Sequence, residues 1–386
     1  MHDTCGHGPL TVGVEEEFLL VDRTTGRAVP AASKVMRRIK SPIAKRVVPE
    51  LTQFQIETNS DVHTDLRELA RDLTELRTAV ADAADAAGVG LIACGNAPLN
   101  PLGAMPPLTA APRYRTMCRH YRALLHGQGV CGCHVHIGIP DREQAIRVSN
   151  HARPWLPLLQ ALTANSPIAE GADTGYASWR AILWSRWPSA GPPPPFHSAA
   201  HYDALVDALI TSGVILDRGM VYWLIRPSHH LPTLEFRTAD TCATVLETVL
   251  LAALVRALAA TALAKVRAGL PAPALEQTLL QAACWRAARD GLEGDALDPA
   301  TGRLMPAWTL LTRLTDHLRP ALHAYGDLET VTTALTRLRR DGSAAARQRA
   351  AFHRRGRLSD VISLLLRQTR ADPALVRHRP TLTRHP

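Results

Sequence analysis

Polar and apolar side chains alternate along residues 11–20 with the period of a β-strand. The alternation places Glu15 and Glu17 on one face, about 7 Å apart at their Cα atoms. Two carboxylates this close repel each other unless solvent screens them or a cation lies between them. The segment therefore predicts either an exposed edge strand or one wall of a cation site.

Three further segments, which we also predict to be strands, each have a polar face of the same kind. These faces carry Gln53, Gln55 and Glu57 in 47–58, His134 and His136 in 131–139, and Glu235 and Arg237 in 233–238. If the four faces belong to one sheet, they form a carboxylate-rich site with histidine and arginine within reach. Such donors suit Mg²⁺ or Mn²⁺ holding a polyphosphate better than they suit zinc hydrolysis.

Residues 131–136 also contain a Cys-x-Cys-His-x-His pattern that could suggest a structural zinc ion. Strand alternation, however, directs Cys131 and Cys133 to the face opposite His134 and His136. One tetrahedral zinc ion cannot reach both faces of a strand. We therefore expect the two cysteines to point into the apolar core.

Sequence motifs of the common nucleotide-binding and hydrolase folds are missing. There is no G-x-x-x-x-G-K-[ST] segment, and the one G-x-G-x-x-G pattern, at Gly127, follows a predicted helix and precedes a strand. G-x-S-x-G and H-E-x-x-H are also missing, which argues against a serine esterase or a zincin.

The elements that must position these residues are strands and long helices. Two more strands are predicted at 90–95 and 221–226, and one strongly amphipathic helix at 64–87, with Thr64 as N-cap and Gly88 as its stop. Further helices are predicted at 113–126, 141–164, 201–211, 241–268, 273–289, 306–318, 327–340, 343–355 and 358–369.

The order of these elements favours an α+β fold. The strands do not alternate with single helices, and their polar faces are typical of antiparallel strands with one solvated side. We predict a mostly antiparallel six-stranded sheet with helices packed on one face and the site on the other, and an all-helical C-terminal region. The proline-rich segment 188–195 is expected to be either a rigid loop near the mouth of the site or a surface polyproline segment.

The net charge of +9 is concentrated at the C-terminal end of the chain. Residues 337–386 carry thirteen Arg and three Asp, net +10, whereas residues 1–336 carry 31 basic and 32 acidic residues, net −1. A neutral body with only 5% aromatic residues lacks the basic surface and stacking platforms that nucleic acids require. We expect no nucleic-acid partner.

Cysteine usage and hydropathy indicate a cytoplasmic protein. The seven cysteines are odd in number and irregularly spaced, which does not suggest a disulfide framework. The N-terminal residues show no signal-peptide pattern. The most apolar run, 248–264, has Arg256 at its centre and is expected to be a packed helix rather than a membrane span.

Several longer segments resemble the carboxylate-amine ligase family, also called type 2 glutamate-cysteine ligases. They are GVEEEFLLVD, CGCHVHIGIPD, ANSPIAEGADTGYASWR, RWPSAGPPPPF and RPSHHLPTLEFRTAD. The likeness continues through LDPATGRLMPAW, GDLETV and ARQRAAFHRRG, so that it spans residues 11 to about 369.

This resemblance implies a glutamine-synthetase-like fold whose antiparallel sheet forms a funnel. It implies one catalytic domain over 11–370, with a C-terminal helical part at about 300–370, followed by a basic flexible tail at 371–386. The implied reaction is ATP-dependent amide synthesis through an acyl phosphate, with Mg²⁺ or Mn²⁺, in which glutamate and cysteine are the first candidate substrates. The implied partners are small molecules and a second copy of the chain, with no membrane.

The resemblance also implies roles for individual residues. The metal ligands would be Glu15, Glu17, Glu57, His134 and Glu235. Glu50 would join them if a β-bulge placed its side chain on the same strand face as that of Glu57. The arginines that face the phosphate or carboxylate groups would be Arg237 and Arg180. For an amide-forming reaction, either His136 or Glu17 could deprotonate the amine, and the sequence does not choose between them. The candidates at the nucleotide are Gln55, Arg226 and Arg237.

Two alternatives stay open from the sequence. Ile168-Ala169 and His63 depart from the family pattern, and both departures concern the acceptor pocket, so the chain could join a different carboxylate and amine. The same carboxylate-lined face could instead hydrolyse an amide, with water in place of the amine.

Overall fold

The computed structural model describes residues 9–99 and 104–370. Its main sheet has seven strands: β1 Val12–Val21, β2 Val47–Pro49, β3 Gln55–Asn59, β4 Gly90–Ile92, β5 Gly132–Gly138, β8 Ile225–Pro227 and β9 Thr233–Asp240. The order is β2-β3-β1-β5-β9-β8, with β4 pairing the distal half of β1, and every pair is antiparallel. The predicted α+β class with a mostly antiparallel sheet is confirmed.

Two small hairpins and thirteen α-helices complete the described part of the chain. The hairpins are β6 Ile168–Ala169 with β7 Ala172–Asp173, and β10 Asp295–Leu297 with β11 Leu304–Pro306. The helices are α1 Ala32–Met36, α2 Leu66–Ala86, α3 Pro112–Tyr121, α4 Arg142–Ala152, α5 Leu156–Thr163, α6 Trp179–Trp184, α7 Ala199–Thr211, α8 Val245–Arg267, α9 Gln277–Asp290, α10 Ala307–Ala324, α11 Leu328–Asp341, α12 Ala344–His353 and α13 Leu358–Thr369.

Helices α2 and α8 cover the apolar face of the sheet. Val12 and Val14 of β1 and Val135 of β5 are buried in one core with side chains of both helices, so the polar faces of these strands point the other way. This is the division that the period-2 pattern predicts.

Helix α8 is long and apolar enough to cross a membrane, but 72% of its most apolar window is buried inside the protein. Arg256, at its centre, donates to the backbone oxygen of Thr64 at 2.5 Å and to Oδ2 of Asp327 at 2.6 Å. The apolar composition and the central arginine are both explained by a helix that packs in the core and whose arginine is paired inside the protein. The sequence predicts such a packed helix.

The prediction of a single strand at 47–58 is wrong. The chain leaves the sheet after Pro49 and re-enters it at Gln55, and the intervening Thr52 bridges to Leu108 instead. Gln53, predicted beside Gln55 on the polar face, is exposed and donates to the backbone oxygen of Leu108 at 2.8 Å.

Other differences follow from local chemistry. The helix predicted at 141–164 divides into α4 and α5 because Pro154 and Pro157 cannot donate the hydrogen bonds of a continuous helix. Asp65, not Thr64, caps α2, and its side chain accepts from the backbone N–H of Arg67. The region after 300 is helical except for β11. Of the predicted strand 221–226, only Ile225 and Arg226 belong to the main sheet, and Trp223 forms an isolated bridge with Gly191. The tail at 371–386 lies outside the described residues.

Candidate active site

The strand registers bring the four predicted polar faces together. Glu17 pairs with Glu57 across β1 and β3, and Glu15 pairs with His134 across β1 and β5. Glu235 is opposite His136 across β5 and β9. Carboxylates and imidazoles from four neighbouring strands therefore line one continuous surface.

Glu17, Glu50 and Glu57 form the first group of potential metal donors, with one oxygen of each within 4.8 Å of the others. Strand alternation alone places Glu50 out of phase with Glu57. The break after Pro49 frees Glu50 from this alternation, so that it reaches the group without the bulge that the sequence requires.

No lysine or arginine of the described chain forms an ion pair with these three carboxylates, although Nε2 of His134 lies 3.9 Å from Oε1 of Glu17. Burial raises the pKa of Glu17 and of Glu50, and burial with the neighbouring carboxylates raises the pKa of Glu57 further. These carboxylates repel one another, and no lysine or arginine of the described chain neutralises that repulsion. Such a set of oxygen donors suits Mg²⁺ or Mn²⁺.

Glu15, His136 and Glu235 form the second group, again with one donor atom of each within 4.8 Å of the others. His134, predicted as a ligand, lies between the two groups, with its Nδ1 2.9 Å from Oε2 of Glu15. His136, predicted at the reacting groups, is also one of the potential metal donors.

Protein cations already compensate this second group. Nε of Arg226 donates to Oε2 of Glu235 at 2.8 Å, and Nη1 of Arg237 contacts the other carboxylate oxygen. Burial opposes ionisation of Glu235, but Arg237 and Arg226 outweigh it and hold the pKa of Glu235 low. In Glu15, hydrogen bonds from the two histidines outweigh burial and lower the pKa in the same way.

Arg226 on β8 and Arg237 on β9 differ in their hydrogen-bond partners and in whether they line the cavity in front of the sheet. Arg226 also donates to the backbone oxygens of Val221 at 2.6 Å and Gly219 at 3.2 Å, so it holds Glu235 from the side. Arg237 lines the cavity in front of the sheet, and its buried Nε has no hydrogen-bond partner within the described chain. A buried, unpaired guanidinium nitrogen is a ready donor for an anionic substrate.

This cavity has a volume of about 230 Å³, with a carboxylate floor and an aromatic wall. The wall includes Tyr114, Trp184, Trp187 and Tyr222, which come from helices and loops far apart in the sequence. The sequence does not identify these residues, because no local pattern marks them. Gln55, predicted at the nucleotide, also lines the cavity, but its side chain already donates to the backbone oxygen of Val130 at 2.9 Å.

Arg180 lies in a neighbouring cavity that shares Trp184 with the first one. Its Nη1 is 3.8 Å from Oδ1 of Asp240, and its Nε is buried without a partner in the described chain. A Cβ atom on Gly132 would lie 2.3 Å from Nη2 of Arg180, so the glycine is what allows this approach. The backbone N–H of Gly132 also donates to Oε2 of Glu17 at 2.7 Å, which connects the two cavities.

Cys131 and Cys133 are fully buried and belong to neither group of potential metal donors. Cys133 packs in the core between the sheet and α8, and burial raises the pKa of Cys131, which keeps it a thiol. The expectation is confirmed for Cys133. Cys131 is buried in a different apolar cluster, with Leu19 from the Glu17 face of β1, and it accepts from Nε2 of Gln55 at 3.6 Å.

A buried ion pair stabilises the core-facing side of β1, and it was not predicted from the sequence. Glu16, between the two site carboxylates, faces the core and accepts from Nη2 of Arg77 at 2.6 Å and from Oγ1 of Thr248 at 2.6 Å. Arg77 lies four positions after Leu73 on the apolar face of α2, a signal that could have identified it. The pair fixes which face of β1 turns toward the site.

The pKa directions predict how pH affects the stability of the metal-free protein. Glu57 has a folded-state pKa above its ordinary value of 4.5, so its contribution to stability is complete below pH 4.5 and is lost as the pH rises through the folded-state pKa. In EDTA, we expect the melting temperature of Glu57→Gln to exceed that of the wild type by more at pH 8 than at pH 5. Equal differences at both pH values would contradict the direction assigned to Glu57.

The comparison with known proteins agrees with this geometry. Residues 11–363 match the model of glutamate-cysteine ligase family 2. A relative from Salinispora tropica with the provisional name glutamate–cysteine ligase 2 is 50% identical over 366 residues, which cover 95% of this chain and 96% of the relative. A relative from Saccharopolyspora erythraea, provisionally named glutamate–cysteine ligase 2-1, is 50% identical over 363 residues, 94% and 96% of the two chains.

Two solved structures share the fold at low sequence identity. The glutamate–cysteine ligase of Francisella tularensis, solved in complex with AMP, has a TM-score of 0.69 at 12% identity and covers 96% of this chain and 91% of its own. The bifunctional glutathione synthetase of Pasteurella multocida has a TM-score of 0.69 at 15% identity, over 94% of this chain and 52% of its own.

Proposed function

Because the chain belongs to glutamate-cysteine ligase family 2 and is an ATP-dependent carbon–nitrogen ligase, we propose that it joins glutamate to the amine of cysteine. The family match supports glutamate and cysteine as the substrates. The observation that supports phosphoryl transfer is the position of the unpaired Nε of Arg237 beside two groups of potential metal donors. A site of this composition can hold the phosphates of ATP next to an acceptor carboxylate.

In this proposal Glu17, Glu50 and Glu57 hold one Mg²⁺ or Mn²⁺ ion, and Glu15, His136 and Glu235 hold a second. When bound, the ions offset the charge of the ATP phosphates. His134 lies between the two groups, where it can complete either set or orient the carboxylates.

Arg237 binds the phosphoryl group during its transfer from ATP to the substrate carboxylate, which forms an acyl phosphate and ADP. Arg226 keeps Glu235 ionised and in place. Arg180, in the adjoining cavity, binds a carboxylate of an amino-acid substrate through its unpaired Nε. Gln55 borders the nucleotide from the floor of the first cavity.

The amine then attacks the carbonyl carbon, the bond from that carbon to the phosphate oxygen breaks, and phosphate leaves. The ammonium proton must leave before or during this step. The sequence offers His136 or Glu17 as its acceptor, but both belong to the potential metal donors, and their lone pairs are committed when ions are bound.

The same proposal includes a cytoplasmic enzyme of one catalytic domain over 11–370 that acts on small molecules, assembles with a second copy and binds neither nucleic acid nor membrane. The six cysteines of the described chain are all free, which suits a reducing compartment.

The test is the dependence of ADP release on both substrates. With ATP and Mg²⁺, we expect ADP and phosphate to form only when glutamate and cysteine are both present, since a site that hydrolysed the acyl phosphate would waste ATP. Hydroxylamine in place of cysteine should trap glutamyl hydroxamate.

Three outcomes would count against the proposal. AMP and pyrophosphate would indicate an adenylate intermediate in place of an acyl phosphate. Hydroxamate formed from another carboxylate, and not from glutamate, would identify a ligase with different substrates. Cleavage of an amide without any ATP requirement would favour the hydrolase alternative.

A further inference from the structure

A separate cavity of about 210 Å³ lies in the helical layer of the protein. It is bordered by α4, the turn after it, the C-terminal half of α8 and α10. None of its lining residues also lines the catalytic cavity or the neighbouring cavity of Arg180. Whatever it binds is therefore bound outside the proposed ligase site.

Most of the wall of this helical-layer cavity is apolar. Trp155, Leu258 and Ala262 contribute to it, together with Pro154 and Pro273. An apolar cavity of about 150 Å³ is large enough to bind benzene. The helical-layer cavity therefore has room for one ring or a short branched chain together with a small polar group.

Among the described residues that line the cavity, Lys265 is the only one that carries a fixed charge, and none is an aspartate or a glutamate. Its Nζ lies 3.1 Å from Nε2 of His317, and no carboxylate of the described chain forms an ion pair with it. His317 is exposed and Lys265 is half-buried, so this contact lies at the solvent-facing edge of the cavity. The ring of Trp155 stacks on the imidazole of His317 with 6.2 Å between centroids, which restricts the position of that ring.

The contact between Lys265 and His317 determines which atoms of these two side chains can bind a ligand; the other polar residues of the wall are His151 and Thr261. An ammonium group only donates hydrogen bonds, so Nε2 of His317 accepts, and the imidazole is neutral. Burial and the charge of Lys265 both lower the pKa of His317, in agreement with this assignment. The ammonium keeps two N–H donors beyond the one that His317 accepts.

We propose that the helical-layer cavity binds a small amphiphilic monocarboxylate, whose carboxylate pairs with Lys265 and whose ring or chain contacts Trp155 and Leu258. A neutral apolar ligand would leave the ammonium without a counter-ion. A dicarboxylate such as glutamate would have to place its second charge against the apolar wall, at a high desolvation cost.

The test is calorimetric titration with 3-phenylpropionate, and with 3-phenylpropanol as its neutral counterpart, in the absence of ATP and metal. We expect the acid to bind in the low-millimolar range or tighter. We expect it to bind up to about fivefold more tightly than the alcohol, because solvent screens an ion pair with the half-buried Lys265.

Four variants separate the ion pair from the rest of the cavity. Lys265→Met should remove the preference for the acid, and Lys265→Arg should keep it. Lys40→Met, at an exposed lysine outside the cavity, is the matched control and should bind both probes like the wild type. Ala262→Leu, which fills the cavity, should weaken both probes, and melting temperatures confirm that each variant is folded.

Equal affinity for the two probes, no binding of the acid, or an unchanged acid preference in Lys265→Met would each overturn the proposal. The same titration on Glu57→Gln tests this proposal separately from the proposed ligase function. A variant without ligase activity should still bind the acid, because the two cavities share no residue.

Discussion

Glu57→Gln should lower Mg²⁺-dependent ADP formation by on the order of 100-fold or more, and it should not lower the melting temperature of the metal-free protein. Loss of a charged donor weakens cation binding. In the metal-free protein, however, Glu57 is repelled by Glu50, Glu15 and Glu17, and burial opposes its ionisation as well. A neutral amide of the same shape removes that repulsion without creating a cavity.

Steady-state rates over a range of Mg²⁺ concentrations, with thermal melts in EDTA, measure both effects. The matched control is Glu75→Gln, at an exposed position on α2, which should leave both quantities within experimental error. If Glu57→Gln kept wild-type turnover at low Mg²⁺, the first donor group would not be a metal site. If it lost activity and also melted well below the wild type in EDTA, the loss would reflect damage to the fold.

The parts of this site that lie on regular strands could be predicted from the sequence. Alternation alone assigns Glu15 and Glu17 to one face and Glu16 to the other, and the structure agrees because one face of β1 packs on helices. The same rule separates His134 and His136 from Cys133. A shift of one residue in the assigned strand alternation would have moved each of these side chains to the opposite face of the sheet.

The parts that depend on irregular backbone could not be predicted in the same way. Glu50 reaches its group because the strand breaks after Pro49, and the break depends on a contact between Thr52 and Leu108, 56 positions further along the chain. The aromatic wall and the cavity of Arg180 depend on how loops pack against the sheet. Hydrophobic periodicity carries no information about such packing.

The second prediction with a large effect concerns Arg237. We expect Arg237→Lys to lower kcat by on the order of 1,000-fold, because a transferring phosphoryl group needs several donors in a fixed arrangement. Lysine keeps one positive charge beside Glu235, so the carboxylate retains a counter-ion and the melting temperature should change little. The fold-change in kcat at saturating Mg²⁺ and ATP measures this effect separately from metal binding.

Arg226→Lys is the matched control, since Arg226 pairs with the same Glu235 but does not line the catalytic cavity. If Arg237 binds the transferring phosphoryl group and Arg226 only positions Glu235, the two substitutions should affect different kinetic constants. Arg226→Lys should raise the Mg²⁺ concentration needed for half-maximal rate and lower kcat far less than Arg237→Lys does. Equal effects of the two substitutions on kcat would mean that Arg237 acts only through Glu235, and its unpaired Nε would then have no part in phosphoryl transfer.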